Sequence, residues 1–287
     1  MISKKLSLWL ATACVAASLA TAAEAGPFIL DHTDADDHGS ANATENLAGW
    51  LYMQRVLENL ESGVTNGNTT VVSLGATNTG SSGAYAAAKS AFDLSSLPVN
   101  GWTFVNVDGA TALTDFFNGT GTTTINNAGI LMMDSSSNVF GGRTSAENAV
   151  IDGQGSVIDT FLGNGGALHS QDSTYGWVTS LIPGITFDNA GGSGLSLTAA
   201  GSAAFPGLTS ADLSAGPFHG RWTGGLGGLT TLFTETSTGD VVGIGSSGGS
   251  ITNPNPPQVP VPPSIALMLA GLAALVGFGT RMRRRGA

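Results

Sequence analysis

The residues of this chain able to do chemistry are its four histidines and the aspartates around them. The densest polar run is Asp31-His32-Thr33-Asp34-Ala35-Asp36-Asp37-His38-Gly39. Counting Asp34 as position 1, Asp36 falls at 3, His38 at 5, Gly39 at 6 and Glu45 at 12. That nearly fits a calcium loop, in which oxygens at alternating positions converge on the ion and glycine permits the sharp turn. Against it, an imidazole stands where an oxygen donor belongs, and the preceding segment reads as a strand. Three readings stay open. One is a calcium site through Asp34, Asp36, His38 and Glu45. Another is a transition-metal site through His32 and His38. The third is a solvated loop in which Asn42 caps a helix and Glu45 completes a capping box. Calcium is the cofactor that the twelve-residue pattern suggests.

A second constellation is His169-Ser170-Gln171-Asp172, with a base, a hydroxyl and a carboxylate in four residues. Gathered in a pocket, His169 and Asp172 together with His219 would serve hydrolysis. Neighbours on a strand point to opposite faces, so a turn that satisfies its own backbone competes with that reading. His219, in Pro217-Phe218-His219-Gly220-Arg221, is a lone imidazole beside aromatics, structural or functional. The glycine-rich stretch 245–249 has the composition of a phosphate cradle but no helix after it, and reads as linker.

The elements that must position these residues alternate. A short strand is expected over 28–30, then a helix over 44–61, where Leu47, Trp50, Met53, Leu57 and Leu60 recur at three- and four-residue steps. Strands follow over 70–74, 102–107 and 129–133, separated by helices over 84–92 and 112–117. The 129–133 segment is continuously apolar, as in a strand buried on both faces. A longer helix over 145–162 is weakened by Gly153 and Gly155. A strand over 167–169 runs into 170–172, and a helix over 174–181 stops at Pro183-Gly184. Beyond it 185–187, 195–197, 229–234 and 241–244 read as strands. The expected fold is α/β: a mostly parallel sheet with flanking helices and a β-rich C-terminal part, in one domain over 26–250. Ligands of such sheets sit beyond the carboxyl ends of the strands, which places Asp31-His32 and His169-Ser170-Gln171-Asp172 on one rim.

Charge narrows the partners. Between 26 and 280 the basic residues are Arg55, Lys89, Arg143 and Arg221, while every acidic residue of the chain except Glu24 lies there, 19 of the 20. Such a surface repels nucleic acid and anionic lipid, and nucleic-acid binding is excluded. It suits an extracellular protein or one that takes up cations.

The two ends read as targeting segments. Residues 1–25 have the order of a signal peptide: Lys4 and Lys5, an apolar run, then Ala23-Glu24-Ala25 as the small-residue site for signal peptidase. Cys14, the only cysteine, falls inside it, so the processed chain would have no thiol or disulfide. The Pro-rich stretch 251–264 is an extended spacer. Residues 265–280 are uncharged and apolar, short of the ~20 that span a bilayer without strain. Arg281, Arg283, Arg284 and Arg285 lie in the 281–287 tail and should stay cytoplasmic, leaving everything before them outside the inner membrane.

This tail resembles the PEP-CTERM sorting signal of Gram-negative bacteria: a short proline motif, an apolar stretch and an arginine-rich end. The motif here is Val259-Pro260-Val261-Pro262-Pro263-Ser264, with Val261 where the commoner form has Glu. The resemblance covers about the last thirty residues. It implies recognition by an exosortase, cleavage near the motif, and a place at the cell surface or in the extracellular matrix, in association with exopolysaccharide and biofilm. The segments Phe161-Leu162-Gly163-Asn164-Gly165-Gly166-Ala167-Leu168-His169, Tyr175-Gly176-Trp177 and Gly216-Pro217-Phe218-His219 resemble the glutamine-amidotransferase-like fold, within it the ThuA-like group. That group's cysteine nucleophile has no counterpart here. Together these readings lead to a non-catalytic, exosortase-sorted surface protein that binds extracellular polysaccharide. The alternative is a secreted hydrolase acting on a glycan or small ester through His169, Asp172 and His219.

Overall fold

In the computed structural model the described residues are 27–77, 83–135, 140–172 and 175–246. The expected signal peptide, Pro-rich spacer, transmembrane segment and arginine tail lie outside them. Among the described residues no helix is long and apolar enough to cross a membrane.

The chain runs β1 (Phe28–Asp31), β2 (Gly39–Ala41), β3 (Asn46–Ala48), α1 (Gly49–Glu61), β4 (Thr70–Leu74), α2 (Ala84–Asp93), β5 (Thr103–Val107) and α3 (Ala110–Asn118). It continues through β6 (Ile130–Met133), α4 (Ser145–Asp152), α5 (Gly155–Gly163), β7 (Ala167–Gln171) and α6 (Val178–Leu181). The C-terminal part adds β8 (Thr186–Asp188), β9 (Gly192–Ser193), β10 (Leu195–Leu197), α7 (Ala199–Ala204) and α8 (Ser210–Leu213). It ends with β11 (Pro217–Phe218), β12 (Arg221–Gly224), β13 (Thr230–Glu235) and β14 (Val241–Gly245).

One sheet organises these elements, in the order β10-β13-β14-β1-β7-β6-β4-β5. From β1 to β5 every pairing is parallel; β14, β13 and β10 are added antiparallel beyond β1. The mixed α/β class with a mostly parallel sheet agrees with the expectation. Alternation along the strands feeds two cores. Ile29, Val71, Ile130, Met132 and Ala167 pack with α1 and α2 on one side. Leu30, Val72, Leu131, Met133 and Leu168 pack on the other with Phe116 of α3, Ile151 of α4 and Ile158 of α5. Every residue of β6 is buried, as its unbroken apolar run requires. On α1, Val56, Leu57 and Leu60 are wholly buried, each contributing about 1.5–3 kcal/mol.

Two elements differ from the expectation. The first helix starts at Gly49, not at 44. The Asn42 side chain accepts from the N–H groups of Thr44 (2.9 Å) and Glu45 (3.0 Å), and this Asx turn closes the β2–β3 hairpin instead of capping a helix. Leu47, expected on the buried face, is 42 % exposed in that hairpin. The helix expected over 174–181 is one turn, Val178–Leu181. Tyr175 is drawn into the core, where its hydroxyl donates toward the carbonyls of Asp31 (2.5 Å) and Ser170 (2.8 Å). The long helix over 145–162 breaks at Gly153, and α4 begins with a Thr144–Glu147 capping box.

Candidate functional site

Four of the five parallel strands deliver an aspartate at or just past their carboxyl ends: Asp31 on β1, Asp108 after β5, Asp134 after β6 and Asp172 after β7. The rim is therefore acidic. At its centre it is neutralised by one guanidinium. Arg143, 1 % exposed, pairs with Asp134 (Nε–Oδ1 3.2 Å) and Asp172, and also donates to the Asp134 carbonyl at 3.2 Å. Burial alone would lower its pKa, but the two carboxylates outweigh that and raise it, so the guanidinium stays charged. The stem lies on Gly75, where a Cβ would come within 2.3 Å of Arg143 Cγ; with φ at +85°, only glycine suits that turn after β4. Arg143 thus ties together the ends of three neighbouring strands.

Beside this knot is a sealed polar group. Asp31 is wholly buried and accepts from the Thr33 N–H (2.8 Å) and the Tyr52 hydroxyl of α1 (2.6 Å), with His169 Nε2 at 3.2 Å. Burial pushes its carboxyl up, but His169, Thr33 and Tyr52 together outweigh burial and hold it below the ordinary range. His32, the next residue, points the other way into aromatic rings: Trp222 at 4.5 Å, Tyr175 at 5.2 Å and Phe187 at 5.7 Å between centroids. Burial lowers its pKa to about 4 despite the opposing pull of the Asp31 carboxylate, the Asp172 backbone and the Asp188 carboxylate. His32 is accordingly neutral at pH 7.

A third group lies at the open corner of the rim. Asp34 is 3 % exposed, and its Oδ2 is 3.2 Å from His38 Nε2 and 3.2 Å from His219 Nε2. Ser135 Oγ stands 3.1 Å from Asp34 Oδ1 and 2.9 Å from Asp36 Oδ1, while its N–H donates to Asp36 Oδ2 at 3.2 Å. Burial, then the Asp134 carboxylate, push the Asp36 carboxyl well above its usual range. A β-bridge between Thr33 and Phe218, and the His219 N–H on the His32 carbonyl at 2.8 Å, bind the two loops together.

At the far edge of the sheet, past β5, is a cleft of about 580 Å³. Its walls carry Asn106, Asp108, Asp115, Thr120, Thr122 and Thr123. That size is within the usual range for small-ligand pockets, and the lining is hydroxyl-, amide- and carboxylate-rich.

The structure sorts the sequence-derived candidates as follows. Asp31-His32 and His169-Ser170-Gln171-Asp172 do share a rim, with Asp31 opposite Gln171 in adjacent parallel strands. The hydrolytic trio is dispersed over three partners: His169 to Asp31, Asp172 to Arg143, His219 to Asp34. On β7, whose residues alternate between faces, His169 turns to α1 and packs edge-on against Tyr52. In the proposed calcium loop, His38 meets Asp34, and Asp36 is joined to Asp34 only through Ser135, while Asp37 rather than Asp36 lies with Asp34 and His38; Glu45 does not join them. Its carboxylate is exposed and holds the Asn42 amide at 2.9 Å in the hairpin turn. His32 and His38 do not pair either, the first being enclosed by aromatics. Sequence reasoning did not single out Arg143, Asp134, Ser135 or Tyr52 as site residues, and named Tyr175 only within a segment of resemblance. Arg143 had one available signal, as one of four basic residues between 26 and 280, where 19 acidic residues lie. Asp134 had another, standing directly after a continuously apolar strand. No protein-family model, curated protein or solved structure matches this chain.

Proposed function

We propose that this is an exported, exosortase-sorted protein of the cell surface or extracellular matrix, which acts by binding extracellular polysaccharide rather than by turnover. The observation that carries the non-catalytic reading is the closure of the rim. His169 is 0 %, Arg143 1 % and Asp172 2 % exposed, each already held by an internal charged partner, so groups a hydrolase would offer to substrate are engaged within the fold. The cleft past β5 supports the choice of ligand, because hydroxyl, amide and carboxylate groups complement a polyhydroxylated chain. Export and sorting rest on the two terminal segments and on the resemblance of Val259-Pro260-Val261-Pro262-Pro263-Ser264 and the terminal arginines to the PEP-CTERM signal.

The test is the full chain, carrying an internal epitope, expressed in an exosortase-bearing host. The extracellular form should end near 259–264 and co-sediment with purified exopolysaccharide. Pro260→Ala with Pro262→Ala should leave it unprocessed in the inner membrane. An extracellular form with an intact tail would overturn the sorting reading; a processed form that stays in the supernatant with no saccharide bound would overturn the ligand. The alternative, a glycan or ester hydrolase using His169, Asp172 and His219, is favoured only by His219, which stands against Asp34 while 31 % exposed. Turnover of a glycan or ester panel that His219→Ala abolishes would establish it.

A further inference from the structure

We infer that Asp34, Asp37 and His38 form a binding site for one divalent first-row transition-metal ion, with His219, against the same Asp34 oxygen, able to add a fourth ligand. Two imidazoles from segments far apart in the chain bring their Nε2 atoms to the same carboxylate oxygen, each at 3.2 Å. Ligands about 2.0–2.1 Å from a tetrahedral ion stand roughly 3.3 Å from one another. Each imidazole nitrogen therefore stands from Asp34 Oδ2 at about the distance that separates two ligands of one ion. An oxygen or nitrogen of Asp37 and His38 also lies within 4.8 Å of Asp34's ligand atom.

The supports of the site are of the kind that metal ligands need. Asp34 Oδ1 is held by Ser135 Oγ, which leaves Oδ2 for the ion. The His38 ring is packed against Gly216, where a Cβ would lie 2.5 Å from its Cγ, so the ring's orientation is fixed. The backbone of His219 is fastened to His32 by its N–H. Access is open, since the His38 and His219 side chains are 38 % and 31 % exposed. An ion can enter, and water or a ligand group can take a remaining position.

The donor set selects the ion. Imidazole nitrogens with carboxylates suit zinc, manganese, iron, cobalt or nickel, whereas calcium takes oxygen donors, usually 6–8 of them. The site is therefore distinct from the twelve-residue calcium pattern, whose last ligand, Glu45, is turned away into the hairpin.

The test uses the full chain in a Cys14→Ser background, so that the only thiol takes no part. After treatment with chelator, Co2+ is titrated and followed by its visible absorption and by calorimetry, then displaced with Zn2+. One ion per chain is expected, with the d–d bands of a four- or five-coordinate nitrogen–oxygen site. His38→Ala and His219→Ala should each weaken Co2+ binding by more than about tenfold. Glu45→Gln should leave it unchanged. Both histidines are partly exposed, so these variants should keep the native circular dichroism. Binding unaffected by either histidine variant, displacement of Co2+ by equimolar Ca2+, or no binding by natively folded protein would each overturn the site. The two imidazoles would then serve only as hydrogen-bond donors to Asp34.

Discussion

The Asp31–His169 pair and the Asp34–His219 pair have the same chemistry and the same Nε2–Oδ2 separation, 3.2 Å. Their surroundings differ. Both partners of the first are wholly buried, and Tyr52 and Thr33 occupy the remaining acceptor positions of Asp31. In the second, the histidine is 31 % exposed and a further imidazole approaches the same oxygen. A buried pair with every acceptor engaged has no room for substrate and fixes β1, β7 and α1 to one another. An open pair with two nitrogens on one oxygen has room for an ion. Distance alone does not separate a structural pair from a site; enclosure and the number of converging donors do.

That contrast predicts large costs on the sealed side and small ones at the open corner. The largest should follow Arg143→Met, which leaves the Asp134 and Asp172 carboxylates buried without the guanidinium. A loss of about 3–5 kcal/mol is expected by urea unfolding. A loss below about 1 kcal/mol would show that the rim is not closed by this residue.

His32 gives the next largest effect, and it depends on pH. The unfolded histidine binds a proton near 6.5 and the folded one only near 4, so the unfolded state holds more protons between these values. Stability should be flat above about pH 6.5 and fall by about 3 kcal/mol as pH drops toward 4. His32→Leu should remove the difference while changing stability at pH 7.5 by less than about 1.5 kcal/mol. Both curves belong in chelator, which keeps the open corner free of metal. An unchanged acid slope in the variant would assign the slope to other groups.

Tyr52→Phe should come third. It deletes one hydroxyl donor to a buried charged carboxylate, at a cost of about 1.5–3 kcal/mol in the same unfolding assay. The smallest effect should be that of His38→Gln in metal-free protein, below about 1 kcal/mol, because a partly exposed histidine–carboxylate pair contributes little. A cost comparable to that of Tyr52→Phe would mean that the open corner also holds the fold together.

The parallel core could be read from sequence because its signal is local and repeated. Continuous apolar runs such as Ile130–Met133 can be little other than doubly covered strands. The spacing on α1 likewise marks its buried face. The start of α1 was misread because Asn42 has the same local appearance as a helix cap and as an Asx turn. Which one forms is decided by pairing between β2 and β3, a non-local event. In the C-terminal part, β12 was not recognised: Arg221–Gly224 has one buried residue, Trp222, and its place comes from pairing with β8 and β14. The site was legible as a rim but not as partnerships. Asp31 and His169 could be placed by the rule for parallel sheets, whereas no periodicity announces that Arg143 will meet Asp172, or that His219 will meet Asp34 across the fold.

The pairing of β14 with β1 has a further consequence. Phe28 N–H donates to Ser246 Oγ and Ser246 N–H donates to the Phe28 carbonyl, each at 2.9 Å, so the described chain enters and leaves the sheet side by side at the amino ends of the parallel strands. The acid rim is at the opposite pole. A load applied at residue 246 is taken up by β14, a strand hydrogen-bonded along both edges, to β1 and to β13. Residue 246 and the acid rim are therefore at opposite ends of the parallel strands. Traction on one reaches the other only through the full length of the central strands.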